Sequence, residues 1–146
     1  LKRSVSVELK KTLQKMYDNG EYLAEHLQGA LPAISLGSNS AFVTSYINDA
    51  APDMVFAQQV YAYLGENDLL LALSTSGNSR NVINAIKVAK SLGAAVLGIT
   101  GKDGGIMGEL CDCCIKLPAK ETYRVQEYMQ VVYQALCAMV ELHFFG

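Results

Sequence analysis

Apolar positions recur along this chain in changing rhythms, and each change marks an element. Over residues 4–18 they fall at Val5, Leu9, Leu13, Met16 and Tyr17, the three-and-four spacing of one helix face. Asn19-Gly20 then signals a turn or helix end, because both residues tolerate the left-handed backbone. Residues 21–29 read as a second, short helix. Ala33, Ile34 and Leu36 follow a proline and lead into Gly37-Ser38-Asn39-Ser40, which predicts a buried strand at 33–36 running into a polar loop. Residues 42–64 are helical in pattern, with a break at 49–53 where Pro52 interrupts. Residues 68–73 are a continuous apolar run, too short for a typical helix and suited to a parallel strand covered on both faces. Residues 79–92 form a helix that turns Val82, Ile83, Ile86, Val88 and Ala89 toward the sheet and stops at Gly93. Further strands are predicted at 95–99 and, more weakly, at 113–117, before a long and nearly all-apolar helix at 122–144. This alternation predicts an α/β fold, a three-layer αβα sandwich around a parallel sheet.

In such sheets ligands sit beyond the carboxyl ends of strands, where loops enter helix N-termini. One such loop is Ser74-Thr75-Ser76-Gly77-Asn78-Ser79. Unpaired N–H groups and the positive end of the helix dipole attract anions there, phosphate above all. Ser74, Thr75, Ser76 and Ser79 add hydroxyl donors, and Gly77 lets the backbone approach a ligand closely. A single serine would be read as a helix cap in an ordinary turn; three serines and a threonine in six residues favour a phosphate ester. The loop has no lysine and no G-x-x-x-x-G-K-[ST], so a nucleoside triphosphate is disfavoured, and the dinucleotide G-x-G-x-x-G is missing as well. Gly101, Asp103, Gly104 and Gly105 form the loop after strand 95–99 on the same edge, either shaping the pocket or making a tight turn.

Composition narrows the classes. The 146 residues suit one domain, and 51% hydrophobic against 18% charged residues excludes a disordered tail and suggests a subunit interface. With a net charge of -2 and scattered Lys and Arg, direct nucleic-acid binding is not expected. No apolar run reaches the ~20 residues of a membrane span, and no charged-then-apolar leader opens the chain, so no membrane partner and a cytoplasmic address are expected. Cys111, Cys113 and Cys114 read as small buried hydrophobes, reduced like Cys137, in a spacing unlike that of structural zinc sites. Tyr61 and Tyr63, on the helix before strand 68–73, read as packing residues.

The stretches ALSTSGNSRNVINAIKVAKSLG, LGITGKDGGIMGELCD and YRVQEYMQVVYQALCAMVE resemble the sugar-isomerase (SIS) domain family, specifically its phosphoheptose isomerase branch. The similarity runs from Glu21 to about Glu141, and the combination of STSGNS, TGKDGG and R-x-Q-E is specific. The resemblance implies one SIS domain over residues 1–146 with a flavodoxin-like sheet, and an N-terminal helix at 4–18 packed at a subunit interface. It implies a phosphorylated sugar held by Ser74, Thr75, Ser76 and Ser79, with Asp49 and Gln126 lining the sugar site. It also implies interconversion of sedoheptulose 7-phosphate and a heptose 7-phosphate, by proton transfer beside the carbonyl. A homotetramer, or a homodimer at least, follows from the same resemblance.

Three departures qualify this. His26 stands where the family has a catalytic glutamate, and Met129 and Gln134 stand where it has two histidines. An amide is no base near pH 7, which leaves His26, with Glu25 beside it, as the catalytic candidates. Read without the resemblance, His26 is an ordinary surface or interface histidine and Glu25 a solvated carboxylate; Arg124 and Glu127 read as catalytic partners or as a structural ion pair. Tyr22, His26, Gln126 and Gln134 make a poor zinc set, so no metal and no other cofactor is expected. Finally, the family's first strand and its G-N-G-G-S loop belong between Gly20 and Glu21, where this chain passes straight on. Either the protein does without that strand or the sequence is incomplete there; the second is the expectation, since a parallel sheet does not easily leave backbone bare.

Three functions fit these features: an isomerase with altered catalytic groups, a sugar-phosphate sensor or protein adaptor similar to the initiator-associating adaptor of bacterial replication, or a structural subunit with a vestigial site. The intact serine loop counts against the last.

Overall fold

A computed structural model describes residues 5–146. The chain divides into two compact units, one holding the residues up to 34 together with 133–146, the other residues 35–132. In the first, α1 (Val7–Met16) and α2 (Gly20–His26) form a hairpin. Ser6 starts α1 by accepting a hydrogen bond from Leu9 N–H at 3.2 Å. Residue 4, where the sequence pattern begins this helix, lies outside the described residues. The hairpin is so tight that a Cβ on Gly20 would collide with the Leu13 carbonyl. Gly20 and Glu21 are consecutive residues of α2.

The second unit follows as α3 (Ser40–Asp49), a 3-10 turn (Pro52–Met54), α4 (Val55–Tyr63), β1 (Leu69–Ser74), α5 (Arg80–Ser91), β2 (Ala95–Thr100), α6 (Met107–Leu110) and β3 (Cys113–Lys116). Then comes α7 (Thr122–Phe145), whose residues from Tyr133 belong to the first unit. The strands form a parallel sheet in the order β1-β2-β3. In register, Ser74 stands beside Thr100 and Thr100 beside Lys116, so the loops leaving all three strands share one edge. One core cluster packs Ile86, Ala85 and Ala89 of α5, Val60 of α4 and Met107 of α6 with Leu70, Ala72 and Val96, and Ile99 of β2 and Val125 of α7 are also fully buried. Each large side chain buried here stabilises by about 1.5–3 kcal/mol. The α5 residues expected to face the sheet do so, Ile83, Ile86 and Ala89 buried and Val82 and Val88 partly so.

Several expectations need correcting. Residues 33–36 form no strand; they run irregularly into a turn, with Ile34 exposed, although Leu36 touches the core. A four-residue strand needs a partner, and β1 is bonded only to β2. For the same reason β1 is not covered on both faces: Leu70, Ala72 and Ser74 are buried, whereas Leu69, Leu71 and Leu73 are exposed. Tyr61 and Tyr63 are exposed rather than packed. Of the cysteines, all free, Cys113 and Cys137 are exposed. Cys111 and Cys114 fill the space above Gly98, whose Cβ would lie 2.7 and 3.2 Å from their sulfurs. Burial, with Cys114 and Asp112 nearby, pushes the Cys111 thiol up to about 11.

Candidate functional site

The serine loop runs from the end of β1 into α5. Its residues are buried by alternate amounts, Ser74 and Gly77 inside, Ser76 and Asn78 outside. Ser79 occupies the N-cap of α5, yet its side chain makes no capping bond. Its hydroxyl instead meets that of Ser74 at 2.9 Å. Ser76 is no helix cap either, since its Oγ accepts from Asn78 N–H at 3.1 Å within the loop. The capping alternative therefore fails for both serines, and the start of α5 keeps its positive end toward the sheet edge.

A second loop is bound against the first. Gly101 N–H donates to the Thr75 carbonyl at 3.1 Å and Met107 N–H to the Gly77 carbonyl at 3.0 Å. Gly77 has φ +67°, and a Cβ there would collide with the Gly104 carbonyl and lie 2.8 Å from Thr100 Oγ1. Thr100 is fully buried beneath, its hydroxyl without a hydrogen-bond partner among the described residues. A third loop joins through Lys102 N–H, which donates to the Ala119 carbonyl at 2.9 Å.

Between the three loops opens a cleft of about 270 Å³, lined by Thr75, Ser76, Asn78 and Gly101, by Lys102 and Asp103, and by Ala119 and Lys120. Lys120 Nζ pairs with Asp103 at 3.0 Å. The cleft offers an anion the hydroxyl residues Thr75 and Ser76 and the basic Lys102, while the ammonium of Lys120 is shared with Asp103. Of the four hydroxyl residues singled out in the sequence, Thr75 and Ser76 line the cleft, whereas Ser74 and Ser79 do not and bond to each other. Gly101 and Asp103 line the pocket, and the same loop makes a tight turn in which Gly104 N–H donates to the Gly101 carbonyl at 3.1 Å. Asn78, Lys102 and Lys120 were not legible as site residues. The signal for Lys102 was its place in TGKDGG on the ligand-bearing edge; Lys120 had none.

The remaining candidates do not line this cleft. Asp49 ends α3 and is exposed, as is Gln126 on α7. Asp53 binds Arg80 at the start of α5 at 2.9 Å. Arg124 Nε donates to Tyr123 Oη at 3.2 Å. Glu25 and His26 belong to α2 in the other unit. His26 stacks on Tyr22 with ring centroids 3.9 Å apart, and its Nδ1 lies 2.8 Å from the Tyr22 carbonyl. A carbonyl only accepts, so Nδ1 is the donor in this contact. Among the described residues, no group of three or more His, Cys, Asp or Glu could hold a metal. No described helix is long and apolar enough to cross a membrane.

A phosphoheptose isomerase of Aliarcobacter butzleri is 43% identical over 122 residues, 84% of this chain and 64% of that relative. Solved phosphoheptose isomerases from Francisella tularensis and Neisseria gonorrhoeae are similar at TM-scores of 0.75 and 0.74, with 30% and 35% identity over 79% and 76% of this chain. The chain covers 62% of each of those structures, so it spans under two thirds of the length of these relatives. The SIS domain model matches residues 40–144, which include all three loops of the cleft, and the chain belongs to the SIS domain family.

Proposed function

We propose that the chain binds a phosphorylated sugar and acts as a phosphoheptose isomerase, converting sedoheptulose 7-phosphate to an aldoheptose 7-phosphate. The observation that carries this reading is the serine loop, of which Thr75, Ser76 and Asn78 line a cleft together with Lys102 and Lys120. Similarity to named phosphoheptose isomerases supports the substrate class. The phosphate is anchored by Ser74, Thr75, Ser76 and Ser79, leaving the far end of the sugar to Asp49 and Gln126. His26 takes a proton from C1 and the C1 hydroxyl proton passes to the C2 oxygen by way of the enediol; the proton held by His26 then returns to C2, leaving an aldehyde at C1. Glu25 is the neighbouring carboxylate in this scheme, and no metal or other cofactor takes part.

The protein acts as a homotetramer or homodimer in which α1 packs at a subunit interface. Exposed Val7, Leu9 and Met16 on α1, and Val131, Met139, Leu142 and Phe144 on α7, support this. In such an assembly a catalytic group of one subunit can complete the site of another.

Incubation with sedoheptulose 7-phosphate, followed by nuclear magnetic resonance at the aldehyde and hydrated-aldehyde positions, tests the proposal. Turnover is expected, falling by about 10²-fold or more in His26→Gln. Binding without turnover would leave a sensor or adaptor, and absence of binding would remove the whole reading.

A further inference from the structure

The loops after β1 and β2 are joined by one side chain as well as by backbone. Asn78 Oδ1 accepts from Ile106 N–H at 3.0 Å, while Nδ2 donates to the Ser76 carbonyl at 3.1 Å. The backbone N–H of Asn78 also donates to Ser76 Oγ at 3.1 Å. Both ends of the carboxamide are thus taken up by main chain, although Asn78 lines the cleft. Its contacts fix the carbonyl and hydroxyl of Ser76 on one side and hold the loop bearing Lys102 and Asp103 on the other.

We propose that Asn78 is a positioning residue for the anion site. It latches the serine loop to residues 101–106, so that the donors of Thr75 and Ser76 and the ammonium of Lys102 are set in place before a ligand arrives. Binding then spends less free energy on ordering the loops. This rests on the reading that the cleft takes a phosphorylated sugar.

The latch can be broken from either end. Asn78→Ala removes the acceptor. Ile106→Pro removes the donor at a residue whose φ of -59° and ψ of -33° already suit proline. Calorimetry with sedoheptulose 7-phosphate should show each variant binding about three- to tenfold more weakly. The double variant should be no weaker than Asn78→Ala, because the bond that Ile106→Pro deletes is already gone there, along with the one to the Ser76 carbonyl. Hydrogen exchange without ligand should show the Ile106 amide losing protection in Asn78→Ala, and thermal melts report whether each variant is folded. Wild-type binding with unchanged variants, additive losses, or unchanged Ile106 exchange would each overturn the positioning role alone. No binding by the wild type would remove the sugar-phosphate reading, and the positioning role with it, even if the exchange measurement finds the latch.

Discussion

At the scale of residues, Gly77 shows how a glycine singled out in the sequence can be required for another reason. The sequence suggests a glycine that lets the backbone approach a ligand. In the structure its φ of +67° and bare Cα let the loop approach Gly104 and Thr100, and the ligand cleft lies alongside. Substitution is therefore costly without any ligand: Gly77→Ala adds a strained left-handed alanine and pushes the two loops apart. A loss of about 1–3 kcal/mol is expected, measurable by urea denaturation, together with weaker sugar-phosphate binding. Full stability with weakened binding alone would mean that the glycine serves the ligand after all. Ser76 and Ser79 make a similar point. Composition marked them as polar and near a helix start, but only coordinates separate a cap from an internal loop bond.

At the scale of elements, helices with a sustained period were legible, and so was the break at Pro52. What failed was what depends on neighbours. Residues 33–36 have a strand's composition but no bonded partner, and the four-residue α6 is too short to show a period. Asp112, just before β3, was likewise silent in sequence, yet it ties three elements together. Its carboxylate accepts from Val96 N–H at 2.8 Å and pairs with Lys90 near the end of α5, while its own N–H donates to the Val96 carbonyl at 3.0 Å. The Lys90 hydrogen bond first, then that from Val96, holds this carboxyl below its ordinary value. A depressed folded value means that the unfolded chain takes up the proton first. The contribution is therefore complete above the unfolded value of about 3.9 and is lost as pH falls through the folded one. Asp112→Asn should be less stable than the wild type at pH 7, and the difference should shrink below about pH 4. Urea midpoints at pH 7, 4 and 3 check this; a constant gap would show that the charge is immaterial.

At the scale of the whole molecule, the 51% hydrophobic composition announces more apolar surface than one chain covers. Each unit bears some of it: Leu69 and Leu71 of β1 are 56% and 41% exposed, and Leu142 and Phe144 of α7 are 61% and 62% exposed. The sequence predicts a long and nearly all-apolar helix here, yet only Val125 and Met129 of α7 are buried within the chain. Sequence periodicity names an apolar face without naming what covers it. Self-association removes such surface from water at about 25 cal/mol per Å², and a buried lysine in the same place opposes it. Sedimentation velocity should therefore find species larger than the 15.8 kDa chain at micromolar concentration, shifting toward monomer in Leu142→Lys. The same shift in Leu71→Lys would place the open face of β1 in the interface as well. A single monomeric species at every concentration would mean that these faces stay in water, and the proposed assembly, with any site shared between subunits, would fall.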